Sequence, residues 1–156
     1  MDQSFSVYTD GGSRGNPGSA AAAFLIFDEH KHLVHKEGDY LGIATNNEAE
    51  YQAVILALEA FKEGKVPTFD KSRSRESSTQ RVGTKKADFF LDSMLVVKQI
   101  NGQFKVKDLR MQKLCLAVNN LIKEIGLAVS FTHIRREQNK DADALVNEIL
   151  DNELKK

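Results

Sequence analysis

The chain has 156 residues, 41% of them hydrophobic and 28% charged, with a formal net charge of zero. That balance excludes a disordered polyelectrolyte or a disulfide scaffold, and the length suits a single domain, 1–156, with an ordinary core. Neutrality neither demands nor forbids a nucleic-acid partner, because local patches decide that. The lone Cys115 lies in an apolar helical pattern with Leu114 and Val118. A buried, inert thiol is expected, in a reducing compartment, and hence a cytoplasmic location. No apolar run approaches membrane-spanning length, so no membrane partner is expected, and the acidic start MDQSFSVYTDGG does not read as a signal peptide.

Phe5 to Asp10 alternates apolar and polar residues and then meets a glycine-rich loop, GGSRGNPG, with Asp10 as its last strand residue. AAAAFLIFDE and HLVHKEGDYLGIA read as two more strands around a polar turn at Asp28–Lys31, which suggests an antiparallel meander. Asn46 or Asn47 makes a good N-cap for the helix NEAEYQAVILALEAFKEG, which closes on Gly64. Residues 68–86 lack apolar periodicity and carry six basic against two acidic side chains. They read as a flexible basic insertion, either merely solvated or an arm for a phosphate backbone. ADFFLD then reads as a buried parallel strand, SMLVVKQI as a short helix and DLRMQKLCLAVNNLIKEIG as a longer one. LAVSFTHI is a strand and NKDADALVNEILDNELKK a terminal helix. The order βββ-α-β-α-α-β-α implies an α/β fold, a mixed sheet with helices on its faces.

Four carboxylates stand in or beside apolar stretches, where an ionised acid is costly unless a cation compensates it: Asp10, Glu50, Asp92 and Asp143. Gathered by a fold, they would make an oxygen-only site for a hard divalent ion. Glu50 lies in line with Ala53, Val54, Ala57 and Leu58, whereas Glu48 is about 200° around the helix and should be solvated. Glu50 would also serve simply as an acid at a helix N-terminus. Asp92 ends a strand, where open α/β sheets bind ligands, or else caps the following helix. Asp143 shares a face with Val146 and Leu150, and Asp141 looks toward Ala144, Leu145 and Glu148, a slight distinction. GGSRGNPG matches neither GxxxxGK[ST] nor GxGxxG, and a strand rather than a helix follows it, so it does not read as a nucleotide cradle.

Together YTDGGSRGNPG, TNNEAE, LDS and HIRREQNKDADAL resemble, in order, the motifs of type 1 ribonuclease H, across essentially the whole chain. The resemblance implies the ribonuclease H-like fold: a five-stranded mixed sheet, three strands antiparallel and then parallel ones, flanked by helices. It implies an endoribonuclease that hydrolyses the RNA strand of RNA–DNA hybrids, leaving 3′-hydroxyl and 5′-phosphate ends, and works as a monomer. Asp10, Glu50, Asp92 and Asp143 would be the ligands of two Mg²⁺ ions, with Mn²⁺ a substitute and Asp10 bridging. The ions would lower the pKa of the attacking water and stabilise the departing 3′ oxygen. Gly11, Gly12, Ser13, Asn16, Asn46 and Asn47 would sense the ribose 2′-hydroxyl. One of Asn46 and Asn47 is also expected to cap the helix. Thr45 would sit in a phosphate pocket for the DNA strand. His133, six residues before Asn139, would move protons and assist product release as a further catalytic residue. Arg135 and Arg136 could instead contact the scissile phosphate.

The chain departs from that pattern in three places. Ile43 stands where an arginine often precedes TNN, no Trp is present where some members carry a basic protrusion (only Lys98, Phe104, Lys105 and Lys107 mark it), and the 68–86 insertion is foreign to the family. Two rivals remain: a non-cleaving nucleic-acid-binding module of the same fold, or another nuclease or transposase of the superfold. All four acids argue against the first, and TNN with GNPG against the second.

Overall fold

Ala20 to Ala23 are all fully buried, which a strand can manage only if both its faces are covered. They lie in the second strand of a sheet in which small side chains let helices approach from both sides. The computed structural model describes residues 3–67 and 85–156. Its strands are β1 (Gln3–Gly15), β2 (Gly18–Phe27), β3 (Leu33–Ala44), β4 (Lys85–Leu91) and β5 (Ala128–His133). Its α-helices are α1 (Asn46–Lys62), α2 (Met94–Ile100), α3 (Leu109–Ile125) and α4 (Lys140–Leu154), with a short 3-10 turn at Arg136–Gln138. The sheet order is β3-β2-β1-β4-β5. β1, β2 and β3 pair antiparallel, and β4 joins β1 and β5 in parallel. The five-stranded mixed sheet expected from the sequence is therefore present. No described helix is long and apolar enough to cross a membrane.

One face of the sheet, with Phe5, Val7, Phe24, Ile26 and Phe89, packs on Tyr51, Val54 and Leu58 of α1 and on Val118 and Leu121 of α3. On the other face, Ala21 and Ala23 meet Val146 and Leu150 of α4. Alternation along β1 and β2 thus serves two cores.

Five local expectations are corrected. β1 does not stop at Asp10: it pairs with β2 out to Gly15↔Gly18, because a second strand is available to complete its backbone hydrogen bonds, and only Asn16 and Pro17 form the turn. Thr45, not Asn46 or Asn47, caps α1. Its hydroxyl accepts from the Glu48 N–H at 3.1 Å while the Glu48 carboxylate accepts from the Thr45 N–H at 2.8 Å. Glu48 is therefore half-buried in a reciprocal cap rather than solvated. Ser93 caps α2, which leaves Asp92 uncommitted to that helix. Finally, Lys85 and Lys86 belong to β4, paired with Gln3 and Ser4; the rest of the basic insertion, 68–84, lies outside the described residues.

The contact between β1 and α1 is very close at one point. A β-carbon at Gly11 would collide with the Ala49 carbonyl and the Glu50 amide, whereas at Gly12 the nearest atom is Val146 Cγ1 at 3.8 Å. Gly11→Ala is therefore expected to push α1 outward and to cost at least the ~1–3 kcal/mol of an overpacked core. Gly12→Ala should stay within about 0.5 kcal/mol of the parent. Urea denaturation of the two variants checks this; equal stabilities would refute the close approach.

Candidate active site

β4 stops pairing with β1 at Thr9↔Leu91, so the next residue on each strand, Asp10 and Asp92, comes to the same end of the parallel sheet. The first turn of α1, held close by Gly11, adds Glu50, and the first turn of α4 adds Asp143. Carboxylate oxygens of Asp10, Glu50 and Asp92 all lie within 4.8 Å of one another. Asp143 stands beside this triad: it lines the same cleft of about 470 Å³ and lies close enough for its charge to act on Asp10. Glu50 thus faces the other acids, whereas Glu48 turns away to Thr45 and to Arg110 at 3.4 Å. Asp141 lines a separate cavity with Tyr8 and Phe27.

The acids are electrostatically strained. Burial, then the charges of Asp92 and Asp143, push the Asp10 carboxyl up to about 8, with the Gly11 N–H offsetting part of this. Glu50 is raised well above the usual carboxylate range, first by burial and then by Asp10 and Asp92; the Gly11 amide and Arg136 pull it back. One Glu50 oxygen, Oε1, is buried without a hydrogen-bond partner. Four carboxylates, an orphaned oxygen and no nitrogen or sulfur donor fit a hard divalent cation.

Asn139 is the site residue that sequence reasoning used only as a spacing marker. It is 1% exposed, and its Nδ2 donates to the Thr9 carbonyl at 2.8 Å and to Asp92 Oδ2 at 3.1 Å. It precedes α4 yet makes no side-chain cap, so its amide is turned inward to join β1, β4 and α4 beneath the acids.

Gly11, Gly12, Ser13, Asn46 and Asn47 line the cleft. Asn46 Oδ1 accepts from the Ser13 N–H at 2.9 Å, and the Asn46 N–H donates to Asn16 Oδ1 at 2.9 Å. The two asparagines thus tie the β1–β2 turn to the start of α1, and neither Asn46 nor Asn47 is the cap. Asn16 and Thr45 line a neighbouring groove that shares Asn47 with the cleft and carries Lys105, Lys107 and Arg110. His133 is exposed at the end of β5, opposite Leu91, and is not among the cleft-lining residues. Arg136 does line the cleft and Arg135 does not; Arg14 and Ser93, which lie within the GGSRGNPG and LDS motifs without an assigned role, line it too, as does Asn147, which no motif announces.

A family model described as RNase H matches residues 2–151. The chain is 37% identical over 145 residues to ribonuclease HI of Halobacterium salinarum, covering 93% of this chain and 63% of that protein's length. It thus spans less than two thirds of this curated relative. The crystal structure of RNase H1 from the same archaeon superposes with a TM-score of 0.78 at 35% identity, covering 96% of this chain and 98% of that one. LC11-RNase H1 in complex with an RNA/DNA hybrid gives a TM-score of 0.79 at 34% identity, covering 96% and 99% of the two chains. With this match over nearly its whole length, and with the sheet and helices in the same arrangement, the chain belongs to the RNase H family.

Proposed function

We propose that this protein is an endoribonuclease that hydrolyses the RNA strand of RNA–DNA hybrids, leaving 3′-hydroxyl and 5′-phosphate ends. The observation that carries the reading is the Asp10–Glu50–Asp92 triad, two of its acids buried, at a strand end in a cleft also lined by Asn46 and Asn47. Asp10, Glu50, Asp92 and Asp143 would hold the metal, with Asp10 within reach of the other acids. Mg²⁺, for which Mn²⁺ could substitute, would supply an activated water and neutralise charge on the reacting phosphate. The chain's own residues do the rest. Gly12, Ser13, Asn46 and Asn47 offer donors and acceptors to a ribose 2′-hydroxyl, and the Ser13–Asn46 and Asn46–Asn16 hydrogen bonds preorganise this segment.

The groove with Asn16, Thr45, Lys105, Lys107 and Arg110 suits phosphates of the DNA strand, and its cations offset the missing arginine at Ile43. Arg136, beside Glu50, is placed for the scissile phosphate. His133, exposed at the end of β5, would carry protons between the site and solvent. The reading includes a single-domain, monomeric, cytoplasmic enzyme.

The test is cleavage of RNA–DNA hybrid, double-stranded RNA and double-stranded DNA, with Mg²⁺, Mn²⁺ or EDTA. Only the RNA strand of the hybrid should be cut, EDTA should stop the reaction, and Asp10→Asn should lower kcat by orders of magnitude while the protein stays folded. Full activity in EDTA would sink the mechanism.

A kinetic series sharpens the assignments. Glu50→Gln should abolish most activity, while Glu48→Gln stays within a few-fold of the parent, because glutamine can keep the reciprocal cap. His133→Ala should slow turnover by at most the ~10²–10⁴-fold of a proton-transfer group and change the pH–rate profile. If Glu48 is the essential acid, the placement of α1 over the site is wrong; an unaltered profile would make His133 structural.

A further inference from the structure

Asp143 differs from the other three acids. It lies outside the tight triad and projects from a helix whose opposite flank is open to solvent. What fixes its carboxylate is a chain of contacts along α4. Asn147, one turn on, donates from Nδ2 to the Asp143 main-chain carbonyl at 3.1 Å and to Asp143 Oδ2 at 3.4 Å. Asn147 Oδ1 in turn accepts from Arg14 Nη2 at 3.3 Å, and the same guanidinium nitrogen pairs with Asp151 Oδ1 at 2.8 Å. Asp143, Asn147 and Asp151 are spaced four apart, so one arginine at the end of β1 lies along a single row of the helix.

The chemistry of the amide gives this row a direction. An asparagine side chain has a donor end and an acceptor end, and which faces which neighbour is set by hydrogen bonding. Arg14 can only donate, so it claims Oδ1 and turns the NH₂ toward Asp143. Without the guanidinium the amide is free to rotate and present its oxygen to the carboxylate, which repels it. The exposed Arg14–Asp151 pair contributes little stability by itself, its side chains being 39% and 60% exposed. Its placement matters more: among the described residues, Arg14 and Arg136 are the cations lining the cleft, and Arg14 stands on the Asp143 side.

We infer that Arg14 is a positioning residue that, through Asn147, orients the Asp143 carboxylate toward Asp10 for metal binding. The inference rests on the proposed metal-dependent reading, and the experiment separates the two. Mn²⁺ is titrated calorimetrically into the parent protein and into Arg14→Leu, Asn147→Leu, the double variant and Asp151→Asn, with hybrid kcat and KM measured alongside. Outer partners of metal ligands typically change affinity about 10–100-fold; for this exposed chain a smaller effect, about 3–10-fold weaker binding, is expected for Arg14→Leu and Asn147→Leu.

The double variant should be no worse than Asn147→Leu alone, since the two act in series. Both single variants should lower kcat at limiting metal with KM for hybrid unchanged, and Arg14→Lys should recover part of the loss. Asp151→Asn, which removes the ion pair and keeps the Arg14–Asn147 bond, should bind Mn²⁺ within about two-fold of the parent if orientation rather than clamping is what matters. Unchanged metal affinity in Arg14→Leu, or a raised KM with metal binding intact, would overturn the inference and make Arg14 a clamp or a phosphate contact. A parent protein that binds no Mn²⁺ would overturn the metal reading itself.

Discussion

Two carboxylates held out of water against a third are the constraint around which this molecule is organised. Asp10 and Glu50 are 6% and 7% exposed, and Asp92 is within reach of both. Burying an isolated carboxylate costs several kcal/mol even after relaxation, and Arg136 offsets only part of it for Glu50. Such a cluster has two ways to be tolerated: it keeps protons, or it takes a cation. Everything around it reads as a device for keeping that choice open in one geometry.

The sheet provides the first device. Parallel pairing of β1 with β4 ends one residue short of Asp10 and Asp92, so both acids leave the last backbone ladder at the same level. Gly11 provides the second, since the absence of a side chain lets α1 come down until the Ala49–Glu50 peptide touches the strand. Asn139 provides the third, with a fully buried amide that bonds the β1 backbone beside Asp10 and the Asp92 carboxylate at once. Asn139 holds the Asp92 carboxylate in place, while burial first, and then their neighbours' charges, raise Asp10 and Glu50. The same packing that builds the fold thus sets which acids are available to a cation.

Much of this was legible in the sequence, for identifiable reasons. The α1 face predicted to be packed, Ala53, Val54, Ala57 and Leu58, is fully buried, and helical periodicity therefore carries Glu50 inward. The strand-ending acid of ADFFLD and the motif order gave the sheet and the four carboxylates. The misses share a cause: tertiary partners decided between locally equivalent options. Thr45 and Asn46 are both good caps, and Asn46 is excluded only because its side chain is taken by Ser13. Glycines after Asp10 look like a loop until β2 is there to pair with them. Asn139 and the Arg14–Asn147 contact join residues 130 and 133 apart, which no local pattern announces.

The claim that the acids hold protons until a cation replaces them can be measured directly. Asp10, raised from its ordinary value to about 8, should be largely protonated at pH 7 in the metal-free protein. A raised acid binds more protons folded than unfolded, so metal-free stability should fall as pH rises from about 4 through 8. Metal binding must then expel those protons. Mg²⁺ titrated calorimetrically in two buffers of different ionisation enthalpy should show release of about one proton or more per protein at pH 7, shrinking as the pH rises past the Asp10 value of about 8. Binding with no proton release at pH 7 would contradict the account.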